Sequence, residues 1–501
     1  MIRSKQLTPA VIAIAVVLIA GASKLAEPLG GDQSLFLIGA HAMHDHALLY
    51  RDFWDLKQPG IYAFYFLATS IGSYSGEAIH AFELAYMLVF AFTLILGLRG
   101  SRNFTQAATI TPIAAVGFPY IASGSFEAIQ VESLVALPLF VVLWSFVSGA
   151  GRPTERERFL YFLVGGLFGA IVLAFKLIFL PIIAVFWLVT IGYEALHHRS
   201  DGRTIAIFAM GAALGIAIPS AAIVGFFAIH GVLEEALRTW FVLPPRIVRS
   251  VPHESVSILF GGIRWFVHRF YGMGLLAVVG VSFAIRRKPD TMLLGLVAWI
   301  VMGTAIILIQ VTSWFQYQWL LIAAPLGVLA TLGFRDLCHM ALGSQNASAA
   351  RIAAVLGISI AAIEPSSLAI HDARNLTANR FAIDAVSRER YRDSVSPVYA
   401  ALSVDARFVE PIGTLYVLGD PTFYVLTNRL QPVVLNGSSV RLFLPEQWNE
   451  LERELRAARP KYLYVSRAVV VSSSALAHWI ETTYRLRHHG TLGSLYVDTH
   501  H

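Results

Sequence analysis

The sequence predicts an α-helical membrane protein that crosses the bilayer many times and ends in a small α/β domain. Of its 501 residues, 56% are hydrophobic and only 14% are charged, and the mean hydropathy is +0.62. Apolar stretches of about 20 residues, long enough to span the hydrocarbon core as a helix, recur through the first three quarters of the chain. The net charge of +6 does not indicate nucleic-acid binding, because the cations flank apolar stretches and form no basic stripe with interleaved aromatic residues.

We count about eleven spans from these stretches. The first, residues 8–27, has the character of a retained signal anchor. A shorter apolar segment at 59–73 suits a helix at the membrane surface better than a crossing. The remaining predicted spans are residues 77–98, 104–122, 132–149, 159–175, 177–196, 204–229, 271–285, 291–311, 318–334 and 351–370.

The orientation follows from the lysines and arginines of the short loops, which favour the cytoplasmic side. Arg3 and Lys5 precede the first span, and the loops on the same side carry further cations, among them Arg99, Arg102, Arg152, Arg156, Arg158, Arg199, Arg203, Arg286, Arg287, Lys288, Arg335 and Arg351. We therefore expect a cytoplasmic N-terminus, with the first loop, the loop 230–270 and the C-terminal tail outside. Loop 230–270 is itself cationic, and we interpret this exception as a site for an anion.

The last 130 residues differ in composition from the rest of the chain. Residues 415–419 and 462–466 have the pattern of strands, and residues 446–458 that of an amphipathic helix between them. We divide the chain into a transmembrane domain, 1–370, and a soluble extracytoplasmic α/β domain, 371–501. The first external loop, 28–75, belongs to the transmembrane domain and contributes interfacial helices.

That first loop holds an unusual concentration of charge. Residues 31–60 include four aspartates and two cations, Asp32, Asp45, Asp52, Asp55, Arg51 and Lys57. Charges beside a bilayer are costly, so such a cluster indicates a site. Asp32 follows Gly31 and precedes a helical stretch, which makes it a candidate helix N-cap. It is equally a candidate general base, because a partly desolvated carboxylate has a raised proton affinity and can accept a proton from an alcohol.

Two further sets of side chains in this loop suggest chemistry. Pro59 favours an extended backbone before it, and in an extended segment the side chains of Asp55 and Lys57 point the same way. Lys57 could then contact a phosphate while Asp55 holds the lysine or a metal; the alternative is a surface ion pair. His41, His44 and Asp45 share a helix face and could bind a metal, but we favour an interfacial polar face.

Three features elsewhere each allow two interpretations. Lys176, at the external end of a span, either snorkels to the interface or contacts a phosphate. The aromatic run at 314–319, which includes Tyr317, forms an interface belt or stacks on a sugar. Pro244 and Pro245, followed by Arg246, form a rigid connector or part of a moving lid.

The first loop resembles a known family. Gly31-Asp32 after the first span, and the stretch Tyr-Arg-Asp-Phe-Trp-Asp-Leu-Lys-Gln-Pro-Gly-Ile-Tyr at 50–62, resemble the first external loop of GT-C glycosyltransferases. The nearest branch is the bacterial protein O-mannosyltransferase and aminoarabinose-transferase superfamily. The resemblance extends to the turn 127–134, to Lys176 before Pro181, to Gln-Tyr-Gln at 316–318 and to the α/β tail.

The resemblance implies a glycosyltransferase in the cell (inner) membrane that uses a polyprenyl-phosphate sugar donor and a lipid, glycan or protein acceptor. It implies that Asp32 is the general base and that Glu132 positions the acceptor or a divalent metal. Donor-phosphate binding falls to Lys57, Arg51, Lys176 and Arg246, and substrate positioning to Asp55, Gln316 and Tyr317. A base opposite the leaving group predicts inversion at the anomeric carbon.

The sequence departs from the family pattern at two positions. Gln33 stands where many members have a second acid, and Leu56 separates Asp55 from Lys57 where some members have them adjacent. Metal dependence therefore stays open. Two other classes of protein also stay open, a flippase or transporter of polyprenyl-linked sugars and a non-catalytic scaffold. The apolar middles of the spans argue against the first class, and the number of spans against the second.

Overall fold

The computed structural model describes residues 4–198, 201–343, 348–380 and 385–500. Arg3 and Arg199, used above for orientation, lie outside the described residues, as does the side chain of Lys5. Within the described chain, 9 helices are long and apolar enough to cross a membrane, which confirms a multi-pass membrane protein. Three shorter apolar helices accompany them, Leu7–Ala22, Pro59–Ile71 and Ile113–Ala122. Two of these coincide with predicted spans, so the total of eleven crossings stays a prediction.

The described residues form 21 α-helices. In chain order they are α1 (Ser4–Ala22), α2 (Asp32–His44), α3 (Pro59–Ile71), α4 (Gly76–Leu98), α5 (Phe118–Ala122), α6 (Val131–Leu134), α7 (Ala136–Ala150), α8 (Glu155–Phe175), α9 (Leu180–His198), α10 (Gly202–Ile229), α11 (Leu233–Leu237), α12 (Leu243–Ser250), α13 (Val256–Arg287), α14 (Thr291–Ile309), α15 (Ala323–Leu342), α16 (Ser348–Arg380), α17 (Ala385–Val395), α18 (Pro397–Ala406), α19 (Thr422–Thr427), α20 (Pro445–Ala458) and α21 (Ser474–Thr483). Short π-helical and 3-10 segments occupy Ile113–Gly117, Leu177–Phe179, Arg238–Val242, Gln316–Ile322 and Val440–Leu442.

The described chain divides into two compact units. The first, called the spanning unit, comprises Met1–Leu25, His80–Ile223 and Glu254–Thr377. The second, called the loop–sheet unit, comprises Ala26–Ile79, Val224–His253 and Ala378–His501. The division of the chain at residue 370 stays a prediction.

Two predicted segments differ in the structure. The span 104–122 is not one helix, because residues 102–110 form turns and a π-helical turn precedes α5. Pro112 and Pro119 lack the N–H that a continuous helix needs. Residues 230–270 were predicted to form a loop, but they are largely helical, so the prediction of a loop was wrong. Helix α13 starts at Val256 and runs for 32 residues, and the predicted span 271–285 is only its second half. Polar residues in the first half of α13 lower its mean hydropathy, but the helix continues through them.

Glycines bring helices of the spanning unit into backbone contact. A Cβ atom added to Gly280 of α13 would lie 2.5 Å from the backbone nitrogen of Gly333 in α15. One added to Gly215 of α10 would lie 2.2 Å from the backbone oxygen of Leu163 in α8. Small residues at such crossings allow close van der Waals packing where lipid supplies no hydrophobic driving force between helices.

The loop–sheet unit contains the predicted α/β domain. Its strands β1 (Leu415–Leu418), β2 (Tyr462–Ser466), β3 (Tyr484–His489) and β4 (Gly493–Asp498) form one sheet in the order β1-β2-β4-β3. The pair β1 and β2 is parallel, as strands joined through α20 should be, and the other two pairs are antiparallel. The predicted strands and the helix between them are confirmed. Strands β3 and β4 were not predicted.

Candidate active site

Asp32 is the first residue of α2. Gly31 occupies the N-cap position before it, with φ +52° and ψ −125°, a conformation that residues with a Cβ rarely adopt. Asp32 therefore lies one position later than an N-cap residue. The positive end of the helix dipole favours a carboxylate there. The side chain of Asp32 is 27% exposed, so solvent and substrate can reach it.

Lys57 joins two carboxylates. Its Nζ lies 3.3 Å from Oδ2 of Asp32 and 3.7 Å from Oδ2 of Asp55. The ammonium also lies 5.1 Å from the ring centroid of Phe36, within cation–π range. The structure therefore brings together three of the side chains that the sequence singled out.

Asp55 is the fixed member of this set, with a residue exposure of 1%. Tyr62 donates its hydroxyl to Oδ2 at 2.8 Å, and the backbone N–H of Leu56 donates to Oδ1 at 2.8 Å. A buried charge is stable only when it is paired and hydrogen-bonded, and Asp55 meets both conditions. It thus anchors Lys57 while Asp32 stays accessible.

The backbone at Lys57 is held as well. The hydroxyl of Tyr50 donates to the carbonyl oxygen of Lys57 at 2.8 Å, and Nε1 of Trp240 donates to the Tyr50 hydroxyl at 2.7 Å. Burial raises the pKa of Tyr50, followed by smaller effects of the Trp240 hydrogen bond, which lowers it, and of Asp55, which raises it. The phenol therefore remains a hydrogen-bond donor at neutral pH.

Residues of the C-terminal α/β domain hold the first loop, an arrangement that the sequence analysis missed. Oδ1 of Asp420 accepts hydrogen bonds from the backbone N–H groups of Gly31 at 3.3 Å and Thr422 at 2.9 Å. The hydroxyls of Ser34 and Thr422 lie 3.0 Å apart. The available signal was position, because Asp420 follows the carboxyl end of a parallel strand, where functional residues collect.

A second set of contacts fixes Trp54, one residue before Asp55. Its backbone N–H donates to the carbonyl of Val434 at 2.9 Å, and Nδ2 of Asn436 donates to its carbonyl at 2.6 Å. Its indole N–H donates to the hydroxyl of Thr239 at 3.2 Å. The segment that carries Asp55 and Lys57 is thus fixed by backbone and side-chain hydrogen bonds.

The two other cations predicted in this unit pair with surface acids. Arg51 binds Asp52 through two hydrogen bonds of 3.0 and 2.8 Å, and its side chain is 51% exposed. The Arg51 guanidinium lowers the pKa of Asp52. Arg246, on α12, lies 2.6 Å from Glu446 of α20. Their phosphate-binding roles stay predictions.

The spanning unit contains a separate polar cluster. Nζ of Lys176 donates to Oε1 of Glu132 at 2.9 Å and to Oε1 of Gln310 at 2.8 Å. Lys176 has φ −163° and ψ 117°, so the chain is extended at the break between α8 and the following 3-10 turn. Glu132 is 2% exposed. Lys176 is therefore held by an ion pair and an amide, which an interfacial lysine that only snorkels would not require.

Two amides, Gln310 and Gln318, belong to this cluster, whereas the sequence analysis had selected Gln316 for substrate positioning. Nε2 of Gln318 donates to the carbonyl of Ser313 at 2.6 Å and approaches Oε1 of Gln310 at 3.4 Å. Gln316 is exposed, and Tyr317 stacks on Phe315 with ring centroids 5.2 Å apart. The sequence analysis noticed the Gln-Tyr-Gln motif but selected Gln316 and missed Gln310, an isolated amide at the end of α14.

A strained turn precedes Glu132. Ile129 has φ +53°, which is unusual for a β-branched residue, and its backbone N–H donates to Oε1 of Glu83 at 3.0 Å. Burial raises the pKa of Glu127 in the same turn, and Arg269 opposes this effect. Glu83 thus holds the backbone that leads into the helix carrying Glu132.

Among the His, Cys, Asp and Glu side chains that the structure describes, no group of three or more is placed to hold a metal ion. The Lys57 ammonium contacts both Asp32 and Asp55, where a dication would have to displace it. The ring of His41 stacks on Tyr74 and that of His44 on Phe66, each with centroids 4.2 Å apart. These contacts fit the interfacial face that we favoured for both histidines.

Comparison with solved structures identifies the class of fold. The chain superposes on the crystal structure of ArnT from Cupriavidus metallidurans in the apo state with a TM-score of 0.63 and 13% sequence identity, covering 97% of both chains. The structure of ArnT from the same organism bound to undecaprenyl phosphate gives a TM-score of 0.60 and 12% identity, again over 97% of both chains. The predicted GT-C fold is therefore confirmed over nearly the whole chain. No protein-family model and no curated protein matches the sequence.

Proposed function

We propose that this protein is a membrane glycosyltransferase that moves a sugar from a polyprenyl-phosphate donor to a hydroxyl group of an envelope lipid, glycan or protein. The observation that carries the proposal is the contact of Lys57 with Asp32 and Asp55 in the first loop. It brings together the two side chains that we assign as the base, Asp32, and the phosphate-binding cation, Lys57. The ArnT fold supports the proposal, since ArnT has been solved with undecaprenyl phosphate bound.

Asp32 is the proposed base. Its carboxylate takes the proton of the acceptor hydroxyl as the hydroxyl oxygen attacks the anomeric carbon of the sugar. The bond between that carbon and the phosphate oxygen breaks, and its electron pair leaves with the polyprenyl phosphate. A phosphate ester is a good leaving group, so no strong general acid is needed. Attack opposite the phosphate inverts the anomeric carbon.

Lys57 is the proposed partner of the leaving phosphate. Charge that develops on the phosphate is stabilised by a cation already in place, and this effect is large where water is scarce. Asp55 holds Lys57 through buried contacts, so the cation is oriented before the donor arrives. Arg51 and Arg246 are further candidates for binding the donor phosphate, and each forms an ion pair with a surface acid.

The cluster in the spanning unit is a second part of the proposed machinery. Buried Glu132 and partly exposed Lys176 form an ion pair that can position the acceptor or the donor phosphate. Gln310 fixes the lysine from the other side. We place the reaction at the external face of the cell inner membrane, with the N-terminus in the cytoplasm, residues 1–370 as the catalytic domain and 371–501 outside.

The test is sugar transfer by the purified protein in lipid nanodiscs. Radiolabelled sugars on polyprenyl phosphate are offered with membrane and envelope extracts as acceptors. Wild type is compared with Asp32→Asn and with Asp45→Asn, a matched change at the exposed end of the same helix α2. We expect transfer by wild type and Asp45→Asn, and a loss of at least about a hundredfold in Asp32→Asn, the scale of general-base catalysis.

Two other results would contradict the proposal. Equal transfer by Asp32→Asn would remove the base from the mechanism. Movement of sugar-lipid across sealed vesicle membranes without consumption of the donor would favour the flippase alternative.

A further inference from the structure

The C-terminal α/β domain contains an open pocket that has no part in the proposed sugar transfer. It lies between helix α18 and the turn that joins β3 to β4, and it has a volume of about 450 Å³. Its polar lining includes Asp405, Arg467, His488 and Thr491. All of these residues belong to the loop–sheet unit. A pocket of this volume falls within the usual range for small-molecule sites.

Arg467 is oriented by its neighbours but retains unused donors. Its Nη2 donates to the carbonyl of Gly490 at 2.8 Å and contacts Nε2 of His489 at 2.9 Å. Nδ1 of His489 lies 2.8 Å from the hydroxyl of Ser494, so the ring accepts at Nε2 and donates at Nδ1. Within the described chain, Nε and Nη1 of Arg467 make no hydrogen bond, and the residue is exposed.

His488 is fixed in a similar way. Its Nε2 lies 3.1 Å from Oδ1 of Asp405, and its ring stacks on Phe408 with centroids 3.8 Å apart. The other oxygen of Asp405 accepts from the hydroxyl of Tyr464 at 2.9 Å. Nδ1 of His488 has no hydrogen-bond partner among the described residues. The bond at Nε2 thus fixes the ring, and Nδ1 accepts a hydrogen bond in the neutral imidazole and donates one in the imidazolium form.

Asp405 itself is closed to ligands. It is 1% exposed, both oxygens are engaged, and a Cβ added to Gly490 would lie 2.0 Å from Oδ1. The side-chain groups that remain are two N–H donors of Arg467, Nδ1 of His488 and the hydroxyl of Thr491, which can donate or accept. The planar guanidinium and the neighbouring hydroxyl suit the several oxygens of a phosphate, for which arginine is well shaped.

We propose that this pocket binds a phosphate group. Its volume exceeds that of free phosphate, so the phosphate is carried on a larger molecule such as a sugar phosphate or a phosphorylated envelope glycan. The inference stands on the α/β domain alone and does not depend on the proposed sugar transfer.

The test is calorimetric titration of the full-length protein in nanodiscs with inorganic phosphate, with glucose 1-phosphate and with acetate. Wild type is compared with Arg467→Gln and Thr491→Val. The control is Arg453→Gln on α20, where the side chain is 77% exposed and pairs with Glu450. We expect a dissociation constant at least about tenfold higher in Arg467→Gln, a smaller rise in Thr491→Val, and no change in the control.

Comparing the two phosphate compounds distinguishes free phosphate from a phosphate group carried on a larger molecule. Tighter binding of glucose 1-phosphate than of inorganic phosphate supports a phosphate carried on a larger molecule. The inference fails if acetate binds as well as phosphate, if wild type binds neither phosphate compound at millimolar concentration, or if Arg467→Gln binds as wild type does. Thermal melting of each variant checks that the domain is folded.

Discussion

Asp420 accepts a hydrogen bond from the backbone N–H of Gly31 at 3.3 Å, although 389 positions separate the two residues in the sequence. Gly31 immediately precedes Asp32, the proposed base. Asp420, which follows strand β1 of the C-terminal domain, therefore holds the backbone at the start of α2. Under the proposed function, this contact makes the α/β domain a support for the loop that carries the base.

Replacing Asp420 should lower turnover more than donor binding. Asp420→Ala removes a hydrogen bond worth about 1 kcal/mol from the segment that aims Asp32, so we expect kcat for sugar transfer to fall about fivefold with little change in KM for the donor. Asp420→Asn keeps an oxygen at the same place and should lose less. Glu450→Ala, a surface change in the same domain, is the control. A rise in KM without a fall in kcat would contradict a positioning role.

Gly31 should not tolerate a side chain, even though nothing lies within 4 Å of a Cβ atom added there. Its φ of +52° is the reason, and the strain of an alanine in such a conformation is about 1 to 3 kcal/mol. We expect Gly31→Ala to reduce transfer at least about fivefold. Gly192→Ala, within α9 and equally open, should retain activity because helices favour alanine. Equal activity of the two variants would show that the conformation at Gly31 does not matter.

The charge of Lys57 should matter more than its shape. Lys57→Gln leaves the buried carboxylate of Asp55 without its cation and the leaving phosphate without a partner. We expect KM for the donor to rise at least about tenfold and kcat to fall, as for loss of a charge-assisted contact. Lys57→Arg should recover part of the activity. Donor titrations of both variants test this, and identical behaviour of the two would exclude a role for charge.

Gln310 and Gln316 provide a matched pair. Gln310→Leu removes one of the two side-chain acceptors of Lys176, at a cost of about 1.5 to 3 kcal/mol for a hydrogen bond to a charged group. We expect at least about a tenfold loss of transfer. Gln316→Leu changes an exposed side chain and should lose little. If Gln316→Leu were the more damaging change, the predicted role of Gln316 in substrate positioning would be supported against the cluster described above.

Protonation of Glu410 at low pH should lower the stability of the folded C-terminal domain. Hydrogen bonds from Lys461, together with Tyr462 and Arg487, lower the pKa of Glu410 to about 2. A carboxyl whose pKa is lower in the folded state than in the unfolded state stabilises the fold above the unfolded pKa, and this stabilisation is lost as pH falls toward 2. We expect wild type to lose more protection of strand β2 amides between pH 6 and pH 3 than Glu410→Gln, in hydrogen exchange at low salt.

Salt provides the control for this pH effect. The carboxyl group of Glu410 is solvent-exposed, so its ion pairs with Lys461 and Arg487 are screened at high ionic strength. The difference between wild type and Glu410→Gln should shrink in 1 M salt. A difference that grows at low pH irrespective of salt would point to another titrating group.

The membrane fold could be predicted because hydropathy and helix length are local properties. The strands β1 and β2 and the helix between them were also predicted, since their apolar pattern is strong. Strands β3 and β4 were missed because Arg485, Arg487 and His488 interrupt the apolar pattern of an edge hairpin. The helical loop 230–270 was missed for a related reason, as arginines on one face of a helix lower its hydropathy without breaking its backbone.

The candidate site was only half accessible from sequence. Asp32, Asp55 and Lys57 lie within 26 positions of one another, and a charged loop next to a membrane marked them. We missed Asp420 and Gln310 because their contacts join residues far apart in the sequence. We missed Gln318 because the sequence does not show which amide of the Gln-Tyr-Gln motif is buried. A single sequence does not reveal long-range contacts or which of two neighbouring side chains is buried.

The glycine contact between α13 and α15 limits where this protein can move. At Gly280 and Gly333 the two backbones touch without intervening side chains, so sliding one helix past the other would drive carbonyl oxygens into Cα atoms. This contact opposes sliding of α13 against α15. Under the proposed function, the loops and the helices without such glycine contacts are the parts that would move to admit a long lipid donor, and engineering for altered substrates should leave these two glycines unchanged.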